Sequence, residues 1–241
     1  MLASEESMPA RPVTAGRAPA AGRPAKARHA APMPWLGRGI FIGSLVPLAS
    51  IVLRAVRGTL SADPIAEVMN ELGLVALIFL VASLACTPAR RLVGWTWPTR
   101  IRRQLGLFAF FYAALHFLVY LVLDQGIAWG AIVEDIVKRP FITVGFLALV
   151  LLVPVAMTST SGWVRRLGFR RWQRLHYLVY PAAALAIVHF IWRVKIDLSQ
   201  PLTYASILGA LLGLRVVIWL RQRSANRALH GSKTAGPVDS R

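Results

Sequence analysis

The sequence predicts an all-α integral membrane protein, six helices crossing the bilayer as one bundle with both termini cytoplasmic, and three observations carry that expectation. Of the 241 residues, 56% are hydrophobic and 16% are charged, whereas roughly a quarter of the residues of a soluble domain are charged. The apolar residues fall in runs long enough to cross roughly 30 Å of hydrocarbon. The basic residues alternate between rich and poor loops with each crossing.

The elements follow in order. Residues 1–34 are rich in Ala, Pro, Arg and Gly, with few large apolar side chains before Trp35, the composition of a disordered basic tail. No short apolar core with a small-residue cleavage site follows, so the first span itself is expected to direct insertion. That span, Ile40 to Val56, is the weakest, because it contains Pro47 and Arg54; Arg54 lies near one end, where a long side chain reaches the headgroups. The other runs are Leu72 to Ala85, extended by Thr87 and ended by Pro88, then Leu105 to Leu123, Phe141 to Met157, Leu175 to Trp192 and Leu202 to Leu220. The transmembrane domain thus covers 35–222, and 223–241 reads as a disordered basic C-terminal tail. Helices are the expected elements because they satisfy their own backbone groups in lipid.

A net charge of +18 would suggest nucleic acid in a soluble chain, but the positions exclude it. Arg11, Arg17, Arg23, Lys26, Arg28 and Arg38 share a side with Arg90, Arg91, Arg100, Arg102 and Arg103. Arg165, Arg166, Arg170, Arg171 and Arg174 join them, as do Arg221, Arg223, Arg227, Lys233 and Arg241. The opposite side has Arg54, Arg57, Lys138, Arg139, Arg193 and Lys195, accompanied by seven acids from Asp63 to Asp197. By the positive-inside rule the termini are cytoplasmic and the excess charge serves topology and attraction to anionic membrane lipid. Cys86 is the one cysteine, so an intramolecular disulfide and a cysteine metal cluster are excluded. No Gly-rich nucleotide loop is present, so a nicotinamide would have to bind another protein.

Chemistry is left to the histidines. His29 and His230 lie in the tails, while His116, His176 and His189 fall in the third and fifth spans. An imidazole in hydrocarbon requires a hydrogen-bond partner or a metal. His116 lies twelve residues beyond Gln104 and His189 fifteen beyond Arg174, which at about 1.5 Å per residue puts both roughly 18 to 22 Å from the inner surface. At matching depths on two helices, the pair can clamp one haem iron from opposite faces. His176 lies roughly 20 Å away along the helix, near the inner side, where it would serve a second haem or only pack. Arg102 stands at the matching depth on the third helix, either as a propionate partner or, the preferred reading, as a topology charge. A bend at Pro181 is expected if His176 and His189 are both to face the bundle interior. Arg215, inside the sixth span, is read as snorkelling to the near surface. Trp163, Trp172 and Trp192 are read as interfacial anchors, and the hydroxyls of Thr158, Ser159 and Thr160 as partners for exposed backbone groups.

Over roughly residues 35 to 222 the chain resembles the MsrQ family (formerly YedZ) of haem-binding membrane subunits, within the wider ferric reductase and NADPH oxidase transmembrane group. The resemblance rests on RRQLGLFAFFYAALHFLVYLVLD around His116, on DIVKRPFITVGFLALVLLVPVAMTST, and on RRLGFRRWQRLHYLVYPAAALAIVHFIWRVK around His176 and His189. It implies b-type haem, an inner-membrane location and a periplasmic molybdopterin-containing methionine sulfoxide reductase as partner. Electrons would come from the respiratory quinone pool, and FMN is implied as a further cofactor. Such a chain is an electron-transfer subunit rather than the catalytic one. Two other readings share the histidines: a stand-alone ferric metalloreductase, and a proton-coupled transporter, which the lack of Asp and Glu inside the spans disfavours.

Overall fold

The computed structural model describes residues 34–94, 96–194 and 196–234, with side chains not described at 34, 161 and 225–234. The disorder expected of 1–33 and 235–241 lies outside those residues. The described chain is helical: α1 (Pro34–Val56), α2 (Pro64–Val93), α3 (Trp97–Val119, prolonged by a π-helical turn Tyr120–Asp124), α4 (Trp129–Lys138), α5 (Pro140–Met157), α6 (Ser161–Leu167), α7 (Phe169–His176), α8 (Val179–Arg193) and α9 (Ser199–Thr234). Six helical segments are long and apolar enough to cross a membrane: α1, α2, α3 with its π turn, α5, α7 with α8, and α9.

Of these, α2 is the central mast. It packs along α3 and also touches α1, α8 and α9, while α5 lies along α8. Leu77, Leu80, Val81 and Leu84 of α2 meet Ala109 of α3, Leu152 of α5, Ala182, Ala183 and Ile187 of α8, and Leu208 of α9. Alanines at these contacts let the helix backbones approach closely, which is how helices associate where lipid removes the usual hydrophobic drive. The outward faces keep Val46, Ile78, Leu118, Val150 and Val216 exposed, as lipid contact requires.

Several boundaries differ from the sequence expectation, each for a local reason. Helix α2 continues past Pro88 to Val93 because the proline breaks one bond without ending a helix held by neighbours; Gly94, with φ 74°, supplies the left-handed C-cap. Helix α9 runs to Thr234, beyond the expected boundary at 222, since Arg221 to Thr234 contains no proline and several good helix formers. Helix α4 was expected as part of a loop, but Trp129, Ile132, Val133, Ile136 and Val137 repeat at helical spacing. Ile132 is buried while Trp129, Val133 and Val137 are exposed, and Asp135 ties α4 to the Tyr120 hydroxyl at 3.4 Å. The fifth span breaks at Tyr177–Leu178 and not at Pro181. Pro181 lies in the first turn of α8, where its missing N–H costs least.

Two polar devices join the outer helix α1 to the mast and to α3. Arg54, expected to reach lipid headgroups, instead pairs with Glu67 at 2.6 Å and with Glu71. It sits in the last turn of α1, and Glu67 in the first turn of α2, so each charge also complements its own helix dipole. The fully buried Tyr112 of α3 donates its hydroxyl to the Ser44 carbonyl at 2.6 Å and accepts from the Leu48 amide at 3.3 Å. Pro47 lies between these two positions and removes the helical donor to the Gly43 carbonyl, and the tyrosine hydroxyl bridges the neighbouring pair, the Ser44 carbonyl and the Leu48 amide. Tyr112→Phe is therefore expected to destabilise the bundle by about 1–2 kcal/mol, read as a lower melting temperature in detergent with helix content unchanged.

Candidate functional site

The histidines of the third and fifth spans meet. His116 of α3 and His189 of α8 have ring centroids 6.1 Å apart with planes at 81°. They face a cavity of about 330 Å³ between α2, α3, α5 and α8. Its deep wall is apolar, with Leu77, Leu80, Ala109 and Leu152; Asn70, Asp124, Arg139 and Arg193 line its opposite end. The π turn places Tyr120 in the same wall, an insertion of the sort that recurs at functional sites.

Each imidazole is oriented in the same way. His116 Nδ1 lies 2.8 Å from the Met69 carbonyl oxygen, and His189 Nδ1 lies 2.7 Å from that of Phe141. A carbonyl oxygen only accepts, so Nδ1 carries the proton in both rings and Nε2 keeps its lone pair. A metal-ligating histidine has the same arrangement, one nitrogen fixed by a backbone acceptor and the other free.

A glycine stands one turn beyond each accepting carbonyl. Gly73 follows Met69 by four residues on α2, and Gly145 follows Phe141 by four on α5. On a helix the Cβ at i+4 leans back over the carbonyl at i, into the space these rings use. A Cβ at Gly145 would lie 2.6 Å from His189 Nδ1, and one at Gly73 3.2 Å from the His116 ring. Both glycines are therefore required for close approach rather than for backbone conformation. Sequence reasoning missed them, together with the two carbonyls and Arg193; glycines among large apolar residues were the one available signal.

His176 is elsewhere. It ends α7, with Nδ1 3.1 Å from the Trp172 carbonyl, Nε2 3.4 Å from Ser159 Oγ, and its ring 4.0 Å from the Trp172 ring. No second histidine faces it among the described residues, and none of them form a cluster of three or more metal-ligating side chains. Trp172 also donates its indole N–H to the Thr158 carbonyl at 2.9 Å, so beyond anchoring it closes the end of α5. Thr158 and Ser159 donate to the Pro154 and Val155 carbonyls at 2.6 Å, as expected of hydroxyls at a helix end.

Two arginines find partners inside the bundle, and for Arg215 this departs from the expected snorkelling. Arg215 turns inward, donating to the Leu84 carbonyl at 2.6 Å and to the Tyr180 hydroxyl, with its guanidinium 5.3 Å from the Tyr180 ring. Snorkelling fails here because those acceptors are within reach, whereas the headgroups are a further turn or more away. Arg102, expected as a topology charge, bonds Thr87 Oγ1 at 3.1 Å and is half-buried against α2.

The bundle falls in the ferric reductase-like class of transmembrane proteins: the family model described as "Ferric reductase like transmembrane component" matches residues 72–187. Similar proteins include three called "Protein-methionine-sulfoxide reductase heme-binding subunit MsrQ". That of Rhodospirillum rubrum is 57% identical over 194 residues, 80% of this chain and 93% of the relative. That of Deinococcus radiodurans is 51% identical over 77% of this chain and 91% of its own. The one from Ralstonia nicotianae is 45% identical over 84% and 92%. The chain belongs to the MsrQ family of multi-pass membrane proteins.

The residues present fit a haem. Two rings each bound at roughly 2 Å to one metal have centroids about 6 Å apart, the spacing observed, and both have their Nε2 lone pairs available. The cavity is apolar at depth and carries Arg193, beside Arg139 and Asp124, at its other end. Gly145→Ala is expected to displace His189 and sharply reduce haem bound per chain, with a smaller loss for Gly73→Ala, where the contact is less severe; haem quantified against protein checks the order.

Proposed function

We propose that this chain is a haem b electron-transfer subunit of the bacterial inner membrane, with His116 and His189 as the axial ligands. The observation that carries the reading is the imidazole pair, 6.1 Å apart, each with Nδ1 held by a carbonyl. A haem held by both imidazoles would have no open position for oxygen or substrate and would supply outer-sphere one-electron transfer. The protein orients the imidazoles, lines the porphyrin space with apolar side chains and limits water access.

The relatives' name describes a subunit of a protein-methionine-sulfoxide reductase. That name supports a methionine sulfoxide reductase as electron acceptor, and the family resemblance adds that it is a periplasmic, molybdopterin-containing enzyme that repairs oxidised proteins. The basic loops put both termini in the cytoplasm, so the Arg193 end of α8 and the outer end of the cavity face the periplasm, which shortens the jump to that partner. The source is the respiratory quinone pool, whose members dissolve in the bilayer beside the bundle. FMN rests on the resemblance alone. His176 is assigned to the inner side, where it serves either a second haem or the packing of α7.

Purified protein is expected to show a b-type reduced-minus-oxidised spectrum that is lost in His116→Ala and in His189→Ala. His176→Ala should keep the outer haem. Unchanged haem content in either of the first two variants would overturn the ligand pair. Faster reduction by a quinol than by a flavin reductase with nicotinamide is the expected result for the source, and transfer to methionine sulfoxide repair but not to ferric chelates separates this function from a metalloreductase.

A further inference from the structure

Arg193 closes α8 four residues after His189, about one turn or roughly 6 Å along the helix and on the same face. It lines the end of the histidine cavity away from the leucines, and also an adjoining cavity of about 350 Å³ whose polar side chains include Glu71, Asp197 and Gln200. The side chain is half-buried, and among the described residues its guanidinium has no hydrogen bond or ion pair. Its neighbours are committed elsewhere: Glu71 to Arg54, Asp197 to the Ser199 amide at 2.9 Å, and Arg139 to Asp135 at 3.1 Å. Removing a guanidinium partly from water without a partner costs free energy, and its planar fork matches a carboxylate. A side chain on a helix leans toward the N-terminus, here back toward His189 and the cavity.

We propose that Arg193 binds a carboxylate of the cofactor, a porphyrin propionate, at the outer end of the cavity. This rests on the haem reading and adds an orientation to it: the propionate edge toward Arg193, the vinyl edge toward Leu77, Leu80 and Leu152. Arg193 then acts as a cofactor-binding residue that fixes the rotation of the macrocycle about the axis between the imidazoles. It also places a positive charge beside the iron, which favours the reduced state.

The test compares haem with haem whose two propionates are esterified, each reconstituted into haem-free full-length protein. The native chain is expected to hold the free acid about tenfold or more tightly than the ester, the worth of one charge-assisted contact. Arg193→Gln should bind both alike, keep the absorption spectrum of a bis-imidazole haem and show a lower midpoint potential. Arg193→Lys should recover part of the preference. An Arg193→Gln variant that still discriminates like the native chain, or a native chain that does not discriminate, overturns the propionate contact while leaving the histidine ligands in place. A native chain that takes up neither form defeats the haem reading itself. If Arg193→Gln does not fold, the Arg193→Lys variant and the native preference for the free acid decide the question.

Discussion

A backbone carbonyl in a helix already accepts one hydrogen bond, and its second lone pair is free only where no side chain covers it. At Met69 and Phe141 that lone pair receives the N–H of an imidazole, and the rest of the site depends on this choice. It fixes the tautomer, leaves both Nε2 lone pairs free on rings that line one cavity, and requires glycine one turn later on the accepting helix. Helices α2 and α5 are thus as much a part of the site as α3 and α8, which carry the histidines. The packing of α2 on α3 and of α5 on α8 sets the spacing between rings. Shifting either pair by one residue would turn an imidazole about 100° off its carbonyl.

The spans and their order were legible in the sequence because length and apolarity are local properties. The matched depths of His116 and His189 were legible for the same reason, since rise per residue converts directly into distance. What was not legible depends on facing partners. Nothing in the sequence says which carbonyl a histidine will find, so Met69 and Phe141 could not be named. Gly73 and Gly145 stood out only as small residues within large ones. Arg54 and Arg215 were read from distance to the surface, and both found acceptors nearer than the headgroups: Glu67 and Glu71 for the first, Leu84 and Tyr180 for the second. Proline positions misled in one direction. From the sequence, Pro88 marks an end and Pro181 a bend, yet α2 continues through the first and α8 begins just before the second.

Polar groups in this bundle are grouped by end. The acidic end holds the Arg54 ion pairs, Asp135 with Arg139, and Arg193. The basic end holds Arg102 on Thr87, Arg215 on Leu84 and Tyr180, and His176 against Ser159. Between them the core is Leu, Val and Ala, and the facing imidazoles stand at the acidic side of it. Arg215 keeps one buried nitrogen, Nε, without a partner, so the basic end is satisfied less completely than its hydrogen-bond count suggests.

That asymmetry bears on the path of electrons. On the orientation proposed above, a site roughly 20 Å from the inner surface leaves most of the hydrocarbon between it and any soluble donor on the cytoplasmic side. Electron transfer falls steeply with distance, so a bundle with a single outer haem requires a donor that enters the membrane, and a quinol does. A donor confined to the cytoplasm instead requires a relay at the inner end. His176 is the one spanning-region histidine there, and its Nδ1 faces the Trp172 carbonyl, which by the argument applied to His116 and His189 leaves Nε2 without its own proton. Ser159 Oγ, whose proton goes to Val155, then meets that Nε2 acceptor to acceptor at 3.4 Å, a contact worth little and easily exchanged for a metal. The inner histidine is thus held like the outer two, but among the described residues no imidazole faces it, so a relay at this end requires a second ligand of another kind, whereas a quinol donor requires no relay.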